Sequence, residues 1–283
     1  MLRRRLALGL WLALLLPAAA CAAGAPSPVA APASRAAAGE AAELDRFDTV
    51  VIDAGHGGED EGARGPSGLL EKDLVLEVAR GLAANLRRAG VRVVMTRERD
   101  VFVPLEDRTH IANDARADLF ISIHANAARN GGARGSETYF MSLEASDDHA
   151  RGVALRENES FAGQPGASRA DADPLVAILG DLIANEHLTE SSEFARAAQL
   201  RLARLDSGPS RGVKQAPFVV LAGVQMPAVL VEIGFVTHPA EERDLRTARR
   251  RAAISAGLAE AVVEHGRRHD AQHGMLPAAG ADR

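Results

Sequence analysis

The chain has 283 residues, of which 47% are hydrophobic and 25% charged, and its formal net charge is -5. This length can bury a sizeable core, and the composition excludes a disordered or fibrous chain. The negative charge offers no basic surface of the kind that nucleic-acid binding needs. Because Cys21 is the only cysteine, a disulfide framework and a cysteine-built zinc site are excluded, so a metal would need His, Asp or Glu ligands.

Residues 1–21 have the pattern of a secretory signal peptide. Arginines at 3–5 precede an apolar run at 6–16, and small residues follow at 18–23. This order is typical of an exported chain, and the apolar run is too short to span a bilayer. We therefore expect a periplasmic protein. Cys21 leaves two interpretations open, an outer-membrane lipid anchor or plain cleavage, and the adjacent arginines leave Sec and Tat export open.

The remaining chain is predicted to hold one catalytic domain between two unstructured segments. Residues 22–46 are rich in Ala, Pro, Ser and Gly and indicate a flexible linker, while residues 269–283 indicate a disordered tail. Between them, residues 47–268 alternate strand and helix patterns. This alternation predicts an α/β fold with a mostly parallel twisted sheet and helices on both faces. The predicted strands are 49–53, 91–96, 119–124, 136–141 (an edge strand), 218–221 and 228–233, and the predicted helices are 71–88, 105–115, 193–205 and 241–267.

Four polar residues fall where such a fold builds its site, beyond the carboxyl ends of the strands. His56 and His124 each follow a strand, Glu232 lies near the end of another, and Glu71 opens the first helix. Two imidazoles and a carboxylate are a normal ligand set for catalytic zinc, and a further carboxylate can carry a proton. Each histidine alone could equally be a loop or core residue, and Glu71 could merely favour a helix start. Glu232 is harder to explain structurally, because a carboxylate within an apolar strand is costly to bury unpaired.

The order of several motifs resembles that of the zinc-dependent N-acetylmuramoyl-L-alanine amidases of the amidase-3 family, of the cell-division type. The resemblance covers roughly residues 48–266 and is specific because the motifs occur in the same order. The matching segments are 51–58, 68–73, 96–97, 117–126, 211–213 and 227–235, together with Arg108 and 112–113.

The resemblance implies a function and a role for each candidate residue. His56, Glu71 and His124 would bind Zn²⁺, and Glu232 would be the catalytic carboxylate. The reaction would be hydrolysis of the amide bond between N-acetylmuramic acid and L-alanine of peptidoglycan, in septal wall splitting during cell separation. The family also implies a LytM-like activator protein as a partner, and we expect a monomer.

Residues 143–193 interrupt the strand–helix alternation and are predicted to be an insert. They hold eleven acidic residues against three arginines, and such a length is unusual for a connection within a compact domain. Asp173 and Pro174 predict the start of a helix with one apolar face. This helix could be a crossover packed on the sheet. The resemblance instead implies an autoinhibitory helix that blocks the zinc cleft. The acidity of the insert suits this role, because one of its carboxylates could occupy the open zinc position. The candidates for that carboxylate are Glu157, Glu159, Asp171 and Asp173.

Three other functions compete with the amidase. A peptidase on the same scaffold would cut within the stem peptide instead, and the masses of its products would show it. A wall-binding protein could hold zinc without turnover, but it would not need Glu232. A zinc carrier would be expected to have a His-rich tract, and the sequence has none.

Overall fold

A computed structural model of the chain describes residues 46–128, 132–159, 187–206, 208 and 210–275. Six strands form one sheet in the order β2-β1-β3-β6-β4-β5. The strands are β1 (Thr49–Ala54), β2 (Arg92–Met95), β3 (Leu119–Asn126), β4 (Glu137–Met141), β5 (Val213–Ala216) and β6 (Ala228–Phe235). The helices are α1 (Glu71–Arg88), α2 (Leu105–Asp114), α3 (Asp148–Glu157), α4 (Leu188–Ala203), α5 (Pro239–Leu245) and α6 (Ala248–Gln272).

The predicted α/β class with a mostly parallel sheet is confirmed. Strands β2, β1, β3 and β6 run parallel, β4 is antiparallel to β6, and β5 runs parallel to β4. The three longest strands, β1, β3 and β6, are buried along their length, which suits their unbroken apolar runs. The carboxyl ends of β1, β3 and β6 therefore meet at one edge of the sheet.

Helices cover the two faces of the sheet with different partners. We call the face that packs against α1, α4 and α6 the back face, and it holds the larger apolar cluster. The other, the front face, packs against α2, α3 and a short 3-10 helix at Val219–Leu221. Strand alternation sends Val50 and Ile52 to the back and Val51 to the front. The polar candidate residues of β3 and β6 point to the front.

Several predicted elements differ from the structure. Residues 218–221 were predicted as a strand but lie largely in the 3-10 helix, while β5 was not predicted because its four residues show no clear alternation. Strand β4 was predicted at the sheet edge but lies between β6 and β5. The predicted helix 241–267 is two helices, because Thr247 caps a new one through the backbone N–H of Arg250.

The tail and the insert are described only in part. Helix α6 continues to Gln272, four residues into the segment that was predicted to be disordered. In the insert, α3 covers residues 148–157 and α4 begins at Leu188. The helix predicted from Asp173 lies outside the described residues. Among the helices that the structure describes, none is long and apolar enough to cross a membrane.

Candidate metal centre

The loop that carries His56 is held by two buried arginines. Arg97 donates to the carbonyl oxygens of Ala54 and Gly55, at 2.8 Å each. Arg108 donates to the carbonyl oxygens of Ala54 and His56, at 2.9 Å each. The backbone of His56 has a φ of +58°, a left-handed conformation that side chains rarely adopt. The arginines therefore hold a strained turn that aims the His56 imidazole across the end of the sheet.

Glycine is required at position 55 because the imidazole of His124, on the neighbouring strand β3, approaches so closely. A Cβ atom there would lie within 2.8 Å of three ring atoms of His124. Beneath the loop, Asp53 is fully buried and accepts from Arg108 Nη1 at 2.8 Å and from Ser122 Oγ at 2.6 Å. Burial alone would raise the pKa of Asp53, but the Arg108 guanidinium and the hydroxyl donors lower it. Asp53 is therefore an ionised anchor for Arg108.

His56, Glu71, His124 and Glu157 converge at the carboxyl edge of the sheet. Glu71 Oε1 lies 3.1 Å from His56 Nε2 and 3.2 Å from His124 Nδ1. Glu157 Oε2 lies 3.2 Å and 2.9 Å from the same two nitrogens. One ligand atom from each of the four residues lies within 4.8 Å of all the others. The structure thus brings together the three residues predicted as zinc ligands and adds a fourth from α3.

Neighbouring groups orient these side chains. Asp60 Oδ2 lies 3.0 Å from His56 Nδ1, so it can fix the tautomer that leaves Nε2 facing the cluster. The backbone N–H groups of Ala63 and Ala125 each donate to a Glu71 oxygen at 2.8 Å. Such outer contacts are typical of preorganised metal sites.

The cluster fits a divalent metal ion. Within the part of the chain that the structure describes, His56 Nε2 and Glu157 Oε2 are buried and lie close to oppositely charged atoms of the cluster, but neither makes a hydrogen bond of good geometry. Burial would lower the pKa of His124, but the facing Glu157 carboxylate raises it to about 10, so this point favours a positive charge. Two imidazole nitrogens and carboxylate oxygens are the donors that zinc prefers when cysteine is absent. The residues present therefore suit the cofactor that the sequence predicts.

Glu232 lies beside this cluster on the neighbouring strand. It is the register partner of His124 in the β3–β6 pair, so both side chains lie on the front face. Glu232 is fully buried, and neither of its carboxylate oxygens has a hydrogen-bond partner among the described residues. Burial raises the pKa of Glu232 well above its usual value, and the Glu157 carboxylate raises it further. An unpaired, proton-retaining carboxylate beside a metal set is suited to proton transfer.

The four insert candidates have different positions. Glu157 is the last residue of α3 and reaches the cluster, whereas Glu159 is exposed. Asp171 and Asp173 lie outside the described residues.

The residues on either side of Glu157 attach the end of α3 to the rest of the domain. Arg156 Nη2 donates to Asn126 Oδ1 at 2.7 Å, and the Asn158 amide bonds to the carbonyl of Pro217 and the N–H of Val219.

Another buried carboxylate of the sheet, Glu137 of β4, was not predicted; it is the register partner of Glu232. One oxygen of Glu137 lies 2.7 Å from His149 Nε2, and the other lies 3.0 Å from Arg211 Nε and 3.3 Å from Lys214 Nζ. Burial opposes ionisation, but His149 and the two cations lower the pKa of Glu137 to about 2. A weaker form of the signal that revealed Glu232 was present, because Glu137 is a carboxylate at the start of a strand that is otherwise largely apolar.

The fold and this site define a class, a single α/β domain with a mostly parallel sheet and a His–Glu–His set that could hold a metal ion. The family model Amidase_3, described as N-acetylmuramoyl-L-alanine amidase, matches residues 50–264. The chain belongs to this family and is an amidohydrolase of that kind.

Individual relatives and solved structures agree with this assignment. N-acetylmuramoyl-L-alanine amidase AmiA of Escherichia coli (strain K12) is 38% identical over 218 residues, which are 76% of this chain and 75% of that protein. AmiC of Neisseria meningitidis serogroup B is 36% identical over 78% of this chain and 53% of its own length. The crystal structure of the amidase from Clostridium difficile 630 has a TM-score of 0.59 at 29% identity and covers 78% of this chain and 97% of that one.

Proposed function

We propose that this protein hydrolyses the amide bond between N-acetylmuramic acid and L-alanine in peptidoglycan, with Zn²⁺ held by His56, Glu71 and His124. The observation that carries the proposal is the convergence of these three ligands next to Glu232, whose buried oxygens have no partner among the described residues. A bound zinc ion supplies Lewis acidity at such a site.

Glu232 has the position and the chemistry of a proton carrier. In its ionised form it would take a proton from the attacking water as the water oxygen bonds to the amide carbon. It would then deliver that proton to the nitrogen as the carbon–nitrogen bond breaks and the L-alanine amine departs. The raised pKa of Glu232 favours holding the proton between these two steps.

Mass spectrometry of the soluble products from zinc-loaded enzyme and peptidoglycan tests the reaction. The proposal predicts stem peptides with a free L-alanine amine, and no such products from Glu232→Gln. Cuts within the stem would indicate the peptidase instead. A folded variant that binds zinc and lacks the inhibitory contact, yet releases no soluble product from peptidoglycan, would indicate the wall-binding alternative.

We also propose that α3 autoinhibits the enzyme through Glu157. Its carboxylate lies between the two imidazoles, at the position that water or the scissile carbonyl would need. A purely structural role for α3 would not require a carboxylate there. Glu157→Gln should therefore raise the basal rate of peptide release, while Glu159→Gln, two residues away and exposed, is the matched control. Equal rates for the two variants would favour the structural role.

The remaining proposals concern the cellular context. We propose a monomeric periplasmic enzyme of septal wall splitting, exported by residues 1–21, with a LytM-like activator that displaces the insert. The similarity to AmiA and AmiC and the acidic insert support this assignment. Activation of the purified full chain by a LytM-domain protein, but not of Glu157→Gln, would test the partner. Radiolabelled palmitate on the wild type but not on Cys21→Ala would test the lipid anchor.

A further inference from the structure

We propose that Lys214 and Arg211 form a subsite for a carboxylate of the stem peptide, three or four residues from the scissile amide. In this structure, Asp147, the N-cap residue of α3, occupies this subsite. The inference rests on the proposed amidase function and adds a specificity determinant to it.

The strand register places this subsite on the same face of the sheet as the metal centre. His124 and Glu232 are partners in β3 and β6, and Glu232 and Glu137 are partners in β6 and β4. Lys214 of β5 is the partner of Tyr139, two residues from Glu137, so it lies on the same front face. Since neighbouring strands are about 4.8 Å apart, the strand of Lys214 lies about 14 Å from that of His124.

Glu137 fixes both cations without neutralising them. It lies 3.0 Å from Arg211 Nε and 3.3 Å from Lys214 Nζ, and the Arg211 guanidinium lies 5.0 Å from the centre of the Phe235 ring. One buried carboxylate faces two cations, so the group is net positive before α3 adds its own charges. A preorganised arginine and lysine pair is suited to binding a carboxylate.

Helix α3 already presents carboxylates to both positions. Asp147 Oδ2 lies 3.1 Å from Lys214 Nζ, while its other oxygen accepts from the N–H of Ala150 and caps the helix. Glu157, at the far end, faces His56 and His124. Ten residues of helix rise about 15 Å, which matches the separation across the strands. The two carboxylates of this segment, Asp147 and Glu157, are therefore about as far apart as the subsite and the metal centre that a substrate would span.

The distance of about 14 Å between the two strands determines which carboxylate of a stem peptide can reach Lys214 while the scissile amide lies at the metal centre. An extended peptide advances about 3.3–3.6 Å per residue, so four residues cover about 14 Å. A stem peptide whose first amide lies at the metal centre would bring its third or fourth residue to Lys214. A carboxylate on its second residue would remain about 7 Å short.

A purely structural role for Lys214 predicts the opposite result. If Lys214 only held Asp147 and α3 in place, its removal would free the metal centre and raise activity. If it binds substrate, its removal should raise KM once α3 no longer blocks the site. The two roles are separated by measuring KM and kcat in the Glu157→Gln background.

The substrates for this test are N-acetylmuramoyl tetrapeptides with diaminopimelate as the third residue. One has free carboxylates, one is amidated at the third residue and one at the fourth. In Glu157→Gln, amidation at one of these positions should raise KM about tenfold with little change in kcat, because a charge-assisted hydrogen bond is lost. Adding Lys214→Met should raise KM for the free substrate by a similar factor and abolish the discrimination, and Lys214→Arg should restore part of both.

The controls separate the possible failures. Arg196→Gln removes one exposed positive charge from α4, beyond the back face, and should leave KM unchanged. An unchanged KM for Lys214→Met, or discrimination that survives it, would overturn the subsite while leaving the amidase intact. If Glu157→Gln hydrolysed none of the three substrates, the proposed function would fall, and the subsite with it.

Discussion

The two faces of the sheet are built from different interactions. On the back, α1, α4 and α6 bury an apolar cluster that includes Leu82 and Phe194, both fully buried. On the front, α3 also has a small apolar contact through Val153, but its end is attached by polar side chains such as Glu157 and Asn158. Water and ligands can replace polar contacts, whereas apolar burial has no substitute in solvent.

Because of this difference, the back face mainly determines the stability of the fold, and the front face mainly determines its function. The back face holds the strands in register and so fixes the distances between His124, Glu232 and their neighbours. The front face holds the reactive groups and α3, which contributes only Ala150, Val153 and Ala154 to the apolar cluster on that side. We therefore expect back-face substitutions to change the free energy of unfolding and front-face substitutions to change the rate.

The largest expected effect is on the front face, at Glu232. Glu232→Gln should lower kcat by about a thousandfold, because proton transfer is lost while the size of the side chain is kept. Its zinc content, measured by plasma mass spectrometry, should remain near one per chain. His124→Ala should lose both zinc and activity. Loss of zinc from both variants would make Glu232 a ligand instead.

The next effect concerns the back face. Leu82→Ala should lower the free energy of unfolding by about 3 kcal/mol, because it opens a cavity in the buried cluster. Urea denaturation measures the change, and kcat at 25 °C should stay near that of the wild type. Leu155→Ala on α3 is the matched control, since Leu155 is 64% exposed, and it should cost less than 0.5 kcal/mol. Similar losses for both leucines would contradict the distinction between the faces.

A pH effect is expected within the back face, at His265. Burial between Phe47 and Phe194 lowers its pKa to about 4, and the neighbouring charges of His269 and Arg268 act in the same direction. The unfolded chain therefore binds this proton more readily. The stability due to the neutral imidazole is full above about pH 6.5 and is lost as the pH falls toward 4.

Between pH 7 and pH 5 this loss should be about 2 kcal/mol. Urea denaturation of the wild type and of His265→Leu at the two pH values isolates the contribution of the histidine. The wild type should lose more stability than the variant on acidification. A loss of the same size in both proteins would show that His265 does not cause it.

The smallest effect is expected where α3 ends. Asn158→Ala removes hydrogen bonds of 2.9 Å to Pro217 and Val219 and should weaken the closed position by about 1 kcal/mol. The basal rate would then rise up to about fivefold. Asn158→Asp keeps the acceptor for Val219 and should give a smaller rise. Unchanged basal rates in both variants would show that the hydrogen bonds of Asn158 do not hold α3 in its inhibitory position.

Much of the fold and of the site could be predicted from the sequence, for identifiable reasons. The long strands β1, β3 and β6 are apolar runs that end in polar residues, so both the strands and the edge where His56 and His124 meet were evident. Strand β5 was missed because four residues of mixed polarity carry no periodic signal. Its position depends on pairing with β4, which is distant in sequence.

The choice among the insert carboxylates could not be made from sequence. Glu157 reaches the cluster because α3 docks at a particular angle through contacts with β4 and β5. Glu159 lies only two residues further and is exposed. Sequence spacing carries no information about that docking angle, just as it does not reveal that Arg97 and Arg108 hold the His56 loop.

The binding of a small hydroxamate to the zinc-loaded protein tests the central claim, that Glu157 occupies the position a ligand would take. Acetohydroxamate binds zinc only where a coordination position is open, and isothermal titration calorimetry measures its Kd without any turnover. We predict that Glu157→Gln binds it at least about tenfold more tightly than the wild type, because a charged competitor is removed. Glu159→Gln should match the wild type. Equal Kd values for all three proteins would contradict the claim.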